Sequence, residues 1–207
     1  MIVMPKAKRK LTIREKRVQL AKDVIKHVSS YDNQIEVSAG SYIEGNLAYV
    51  IAQKLDYGND DDVPESDDDV PESDAREFLK ATLPKTPCDV CAKGALLISH
   101  VLRNDKMSLK RFYELSHNMS SCTLSGTDTL CGRETYPKGI AFTPKQLDEI
   151  EALFEGDVVG RARDSFTDLQ LSEMRNWHID NNTYDSLDLL VRIMKLVIKN
   201  KGAKVLL

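Results

Sequence analysis

Apolar residues recur at helical spacing along much of this chain, and two segments are apolar over most of their circumference. The first, about residues 88–103, starts at a Cys-x-x-Cys pair and ends in an aliphatic run. The second, about residues 184–200, has its polar positions on one stripe, Asp188, Arg192, Lys195 and Lys199. Helices this apolar belong in the interior. The pattern therefore predicts a mainly α fold in which these two helices pack together at the centre.

The first apolar helix also carries a narrow polar stripe. Its members are Asp89, Lys93, His100 and Arg103. Helical spacing places them on one side, which we expect to be the solvated edge of the helix. Gly94 costs about 1 kcal/mol relative to alanine in mid-helix, and close packing by a neighbouring helix is the expected compensation.

Capping signals predict several of the other helices. Thr12 and Glu15 form a capping box that starts a helix running to residues 27–30. Thr143 and Gln146 form another, and Gly156 is the expected stop. Periodicity predicts shorter helices near 47–55, 75–81, 107–115 and 169–177. Alternation near residues 35–43 predicts a small hairpin or paired extended segment.

The chain of 207 residues is long enough for one good core. We expect a basic tail at residues 1–11 and a single mainly helical domain at residues 12–207. A tandem repeat, Asp-Asp-Asp-Val-Pro-Glu-Ser twice over, occupies residues 60–73. Repelling charges, prolines and few apolar side chains predict a disordered acidic loop at residues 58–74, and slipped duplication explains its origin.

The overall charge is nearly balanced, with 29 basic and 32 acidic residues, but its distribution is uneven. Near balance argues against wholesale binding to nucleic acid or membranes. The basic amino-terminal segment is nevertheless a candidate phosphate-binding arm. Its candidate residues are Lys6, Lys8, Arg9, Lys10, Arg14 and Arg17. Interleaved aromatics and helix-turn-helix spacing are missing, so solvated charge is the competing interpretation.

The four cysteines provide the other candidate chemistry. Cys88 and Cys91 could present two sulfurs to one zinc ion, and the candidates for the two further ligands are Cys122, Cys131, His100 and His117. The spacing of the second pair does not match a zinc ribbon or finger. Redox chemistry would use Cys88, but no strand and βαβ pattern is evident before the pair. The competing interpretation is that these thiols are small packing groups in a helix interface, with no cofactor.

Signatures of other function classes are missing from the sequence. No serine lies in a Gly-x-Ser-x-Gly elbow, no phosphate-binding glycine loop is present, and four scattered histidines show no metal-ligand spacing. No segment reaches the roughly 20 apolar residues that cross a bilayer, and a secretory start is missing. These observations favour a cytoplasmic protein without enzymatic activity.

Several short stretches resemble a family of small, uncharacterised phage-encoded proteins. The stretches are Arg17 with Ala21-Lys22-Asp23-Val24, Gly40 with Tyr42-Ile43, Cys88 to Leu96, Gln146-Leu147 with Ile150-Glu151, and Ile193-Met194 with Ile198, Asn200 and Gly202. The likeness spans most of the chain outside the acidic repeat. It implies a setting in a phage-infected cell and no particular reaction.

Three hypotheses follow from the sequence. The first is a non-catalytic accessory protein that binds or inhibits a host or phage macromolecule, most simply a protein, in the host cytoplasm. The second is a nucleic-acid-binding protein that uses the basic amino terminus. The third is a small zinc- or thiol-dependent protein. Homo-oligomerisation is left open.

Overall fold

The structure, a computed structural model, describes residues 9–30, 34–39, 43–55, 74–104, 107–124, 140–156 and 160–206, without the side chains of 104, 117–124 and 160–162. Lys6, Lys8 and the acidic repeat lie outside these ranges. The predicted mainly helical class is confirmed. The elements are α1 (Ile13–Ser30), β1 (Ile35–Val37), β2 (Ile43–Glu44), α2 (Asn46–Lys54), α3 (Ala75–Thr82), β3 (Cys88–Val90), α4 (Ala92–Asn104), α5 (Leu109–Leu124), α6 (Pro144–Glu155), a 3₁₀ helix (Gly160–Ser165), α7 (Asp168–Asn181) and α8 (Ser186–Lys199).

Helix ends follow the local signals closely. At the start of α1, the Glu15 amide donates to Thr12 Oγ1 at 3.2 Å and the Thr12 amide donates to Glu15 Oε2 at 2.8 Å. At α6, Thr143 and Gln146 form the predicted capping box, and Gly156 ends the helix in the left-handed conformation with φ 87°. These signals are local, so they do not depend on the tertiary fold.

Helix α4 is the centre of the fold, because every residue from Cys91 to Leu102 is buried. It packs on α1, α3 and α6, and α8 in turn packs on α1 and α6. The helices α1, α4, α6 and α8 therefore form a ring in which α4 and α8 occupy diagonal positions. The prediction that the two most apolar helices pack together is wrong for their main contacts, because both α4 and α8 pack chiefly on other helices, α1 and α6 among them.

The prediction that the polar stripe of α4 is solvated is also wrong for the middle of the helix. Lys93 is 6 % exposed and His100 is 7 % exposed, although both are ionisable. The reason is that α4 is buried along its length, and Lys93 finds carboxylate partners on α6 instead of water. The equivalent prediction for α8 holds, because Asp188, Arg192, Lys195 and Lys199 are all exposed.

The extended segments differ from the prediction. Residues 88–90 form strand β3 and not the start of the helix, which begins at Ala92. Of the two alternatives for residues 35–43, the paired extended segment is confirmed and the hairpin is wrong, because β1 and β2 do not pair with each other. β3 lies between them, parallel to β1 and antiparallel to β2. This pairing joins segments about fifty residues apart, which short-range alternation does not reveal.

The three strands bury one face of the small sheet and expose the other. The side chains of Ile35, Val37, Cys88, Val90 and Ile43 are buried. On the opposite face Glu36 and Glu44 are exposed and Asp89 is half-buried. Side chains alternate between faces along a strand, so these three carboxylates share the outer face.

Candidate functional site

The cysteine pair is an interior feature of the fold. Cys88 is the first residue of β3 and Cys91 lies between β3 and α4, and both are free thiols that are 2 % and 1 % exposed. The pKa of each thiol is raised to about 12, chiefly by burial, with a smaller contribution from Asp89 at Cys88 and from Glu151 and Glu155 at Cys91. Both thiols stay protonated at neutral pH, whereas nucleophilic and metal-binding cysteines are thiolates. The geometry favours their interpretation as packing groups.

The expectation that no strand precedes the pair is wrong, because β1 lies parallel to β3 and connects to it through α2 and α3. Burial, and not the missing strand, is the argument against thiol chemistry at these positions. Cys122, Cys131 and His117, three of the other zinc candidates, lie outside the described side chains. Within the described residues, no group of three or more His, Cys, Asp or Glu side chains could hold a metal ion.

Two polar contacts fasten α4 to α1. Ser99 Oγ lies 3.0 Å from His27 Nδ1, and the Arg103 guanidinium donates to Asp23. Burial lowers the pKa of His27, which favours the neutral imidazole. A serine beside a histidine is also found in hydrolase triads, but Ser99 is 1 % exposed and Asp23 pairs with Arg103. The contact therefore has the character of a packed helix interface.

A buried ion cluster fastens α4 to α6. Lys93 Nζ lies 3.1 Å from Asp148 Oδ1 and 2.5 Å from Glu151 Oε2. The three side chains are only 6 %, 12 % and 14 % exposed. An ammonium group is tolerated in the interior when carboxylates neutralise it at close range. This pairing explains how a lysine occupies the middle of the central helix.

The basic amino-terminal residues have different environments. Arg17 donates to the carbonyl oxygens of Ala141 at 2.8 Å and Gly202 at 3.0 Å, so its guanidinium ties α1 to the chain after α8. Arg9 pairs with Glu15. Lys10 and Arg14 are exposed. Of the four predicted phosphate contacts that the structure describes, Lys10 and Arg14 are the best placed to meet a ligand.

The carboxyl-terminal helix adds further cations beside them. Helices α1 and α8 pack closely. Gly202, just after the end of α8, lies against the backbone carbonyl of Arg14 in the first turn of α1, while β1, which follows α1, lies at the other end of α8. The two helices are therefore antiparallel. The solvated stripe of α8 and the residues after it carry lysines. We use the name basic face for the exposed cations of α1, α8 and their flanking residues, which are spread around the solvent-exposed sides of the two helices: Lys10, Arg14, Lys16, Lys22, Lys26, Lys195, Lys199, Lys201 and Lys204.

Three acidic residues near the basic face are engaged with other groups, whereas Asp188, on the same stripe of α8 as Lys195 and Lys199, is exposed. Glu15 accepts from the Thr12 amide and pairs with Arg9, and Asp23 pairs with Arg103. Glu149 accepts from the Leu206 amide at 3.0 Å, and burial raises the pKa of its carboxyl group. With the nine acidic residues of positions 60–74 set aside, 29 basic residues stand against 23 acidic ones. Outside that stretch the formal charge is therefore +6, against −3 for the whole chain.

Sequence reasoning missed the four lysines that α8 and its following residues contribute. The sequence does predict that Lys195 and Lys199 lie on the solvated stripe of the last helix. Nothing in the local pattern joins them to Lys10 and Arg14, since the connection depends on antiparallel packing between the two ends of the chain.

No helix among the described residues is long and apolar enough to cross a membrane. No protein-family model matches the chain, and comparisons with curated proteins and with solved structures find no match.

Proposed function

We propose that the protein is a non-catalytic interaction protein that binds nucleic acid through the basic face. The observation that supports this proposal is the presentation of nine exposed cations by two adjacent, antiparallel helices and their flanking residues. Phosphate contacts by lysine and arginine supply most of the affinity of sequence-independent nucleic-acid binding. The proposed binding site is therefore larger than the candidate amino-terminal arm, because it includes the folded surface of α1 and α8.

The dimensions of the basic face agree with a phosphate backbone. Helix α1 has 18 residues and is about 27 Å long. A duplex presents one phosphate charge per roughly 1.7 Å of its axis, so several phosphates fall within that length. Lysine dominates the face, and lysine acts as a point charge without the planar fork that reads bases. Binding is therefore expected to be strongly salt-dependent and nearly independent of sequence.

The cellular setting is part of the same proposal. The resemblance to phage-encoded proteins supports a phage origin, and we place the protein in the cytoplasm of the infected cell. The partner is then DNA or RNA of the host or of the phage. The activity is to bind that nucleic acid or to block the access of other molecules to it.

A titration of labelled duplex and single-stranded probes, followed by fluorescence anisotropy at increasing salt, tests the proposal. The double variant Lys195→Glu/Lys199→Glu should bind at least about tenfold more weakly, since it removes two cations and adds two anions. The control Lys54→Glu/Lys85→Glu makes the same charge change at exposed lysines outside the basic face. Equal losses in both variants would show that net charge alone, and not this surface, governs binding.

A second candidate is the binding of a host or phage protein. Helix α7 supports it, because Leu169 is 68 % exposed and Ile179 is 56 % exposed. Large apolar side chains in solvent are a common feature of protein interfaces. Affinity capture from host cells with the wild type and with Leu169→Ser/Ile179→Ser tests this alternative. A protein captured equally by both would argue against α7 as the contact.

A further inference from the structure

A tyrosine and an arginine form a stacked pair at the junction of α7 and α8. The guanidinium carbon of Arg192 lies 4.0 Å from the ring centroid of Tyr184. Arg192 is exposed, and Tyr184 is 40 % exposed although the guanidinium lies over its ring. The pair therefore presents to solvent a planar cation stacked on an aromatic ring, and nucleic-acid bases stack on both kinds of surface.

One buried residue fixes both members of the pair. Asn181 is the last residue of α7 and is 6 % exposed. Its Oδ1 accepts from Arg192 Nε at 2.9 Å, and its carbonyl oxygen accepts from the Tyr184 amide at 3.1 Å. Asn181 is itself held, because its Nδ2 donates to the Trp177 carbonyl at 2.7 Å. The stacked geometry is thus preorganised, which lowers the cost of ordering these side chains around a ligand.

The pair lies beside two cations of the basic face. Arg192, Lys195 and Lys199 are exposed on one stripe of α8. Lys195 and Lys199 lie about 4.5 Å and about 10.5 Å beyond Arg192 along the helix axis. Phosphates along one stacked strand are about 3.4 Å apart, so about three nucleotides cover that distance. A strand with one base on the pair can therefore place its next phosphates beside the two lysines.

Acidic residues lie on the other side of the pair. Asp188 is exposed one turn before Arg192 on the same stripe, and the exposed Asp185 caps the start of α8. Asp180 is exposed near the end of α7. These carboxylates repel phosphates, so a bound strand is expected to extend from the pair toward the carboxyl end of α8.

We propose that the protein recognises unpaired bases of single-stranded nucleic acid, one of which stacks on the Tyr184–Arg192 pair while the neighbouring phosphates contact Lys195 and Lys199. The inference rests on the proposed nucleic-acid binding and narrows its substrate class. Bases in a duplex stack on one another, so the pair does not reach them. Every base has a π-face, so stacking of this kind tolerates many sequences. The α7–α8 junction thereby supplies the aromatic that the basic amino-terminal arm lacks.

Fluorescence anisotropy near 50 mM salt tests the proposal with two strands of equal charge and about 12 nucleotides, oligothymidine and the abasic strand without its bases. The wild type should bind oligothymidine at least about fivefold more tightly, which is the lower end of the contribution of one base–aromatic stack. Oligouridine and abasic RNA, titrated in parallel, distinguish RNA from DNA as the source of the base. A preference for bases in either polymer supports the proposal, and equal affinities in both overturn it.

Variants of the tyrosine assign that preference to the pair. Tyr184→Leu should remove the preference for bases while it leaves binding to the abasic strand and to duplex unchanged. Tyr184→Phe keeps the ring and should keep the preference. Tyr49→Leu is the matched control, because Tyr49 is 62 % exposed on α2, outside the basic face. A Tyr184→Leu variant with wild-type circular dichroism that keeps the preference, or a Tyr184→Phe variant that loses it, would overturn the proposal.

Failure of this inference is distinguishable from failure of the proposed function. A wild type that binds thymidine and abasic strands equally, and binds both more weakly as Lys195→Glu/Lys199→Glu, contacts phosphates through the basic face but no base through the pair. That result overturns the inference alone. A wild type that binds none of the probes near 50 mM salt overturns both.

Discussion

The buried ion cluster gives the sharpest test of how the core is built. Replacing Lys93 with methionine keeps most of the side-chain volume but removes the cation between Asp148 and Glu151. Both carboxylates are then held in a largely dry site, since they are only 12 % and 14 % exposed. Breaking a buried ion pair by removing one partner costs about 3–5 kcal/mol.

That cost has a measurable size in this chain. A loss of 1 kcal/mol lowers the melting temperature of a protein of this length by about 2–4 °C. Lys93→Met should therefore melt roughly 6–20 °C below the wild type. The triple variant Lys93→Met/Asp148→Asn/Glu151→Gln should recover part of the loss, because the amides remove the two buried negative charges that Lys93 helps to balance.

Thermal unfolding and urea unfolding, both followed by circular dichroism, measure the melting temperature and the free energy of unfolding of both variants. Lys80→Met is the matched control, because Lys80 pairs with Glu77 at the surface with both side chains well exposed. Exposed pairs of this kind contribute about 0–1 kcal/mol. A Lys93→Met loss no greater than the control would refute the claim that the ammonium is neutralised in the interior.

Three other outcomes follow from the structure. In a background where the remaining cysteines are serine, Cys88 and Cys91 should react with iodoacetamide at pH 8 only after unfolding, since burial raises both thiol pKa values to about 12; labelling of the native protein would contradict this. Gly202→Ala should cost about 2 kcal/mol or more in urea unfolding, because φ is 66° and a Cβ would lie 2.3 Å from the Arg14 carbonyl oxygen, and a neutral effect would be inconsistent with that packing. Burial lowers the pKa of His27, so the native state binds fewer protons and the free energy of unfolding should fall as pH drops below 6.5; His27→Gln should flatten that slope, and identical pH profiles would exclude the mechanism.

Local signals made much of the helical framework predictable. Thr143, Gln146 and Gly156 act on their own backbone neighbours, so the bounds of α6 could be read directly from the sequence. The same holds for Thr12 and Glu15 at α1. Helix α5 continues to Leu124, past the predicted end. The prediction stopped too early because the serine-rich last turns lack apolar residues at helical spacing.

The features that depend on distant partners could not be predicted. Strand β3 has three residues, and its identity comes from pairing with β1 about fifty residues away. The spacing of Lys93 along the helix predicts that its side chain is solvated. Its burial is favourable only because Asp148 and Glu151 approach it from α6. The basic face shows the same limit, since its two halves are at opposite ends of the chain.

The salt dependence of nucleic-acid binding tests the central claim most directly. Each phosphate neutralised contributes about −0.9 to the slope of log affinity against log salt for duplex DNA. Contact by five or more of the nine cations on the basic face should give a slope of about −4.5 or steeper. The slope should weaken by about two for Lys195→Glu/Lys199→Glu and stay unchanged for Lys54→Glu/Lys85→Glu. Absent binding near 50 mM salt, or a flat salt profile, would contradict the account.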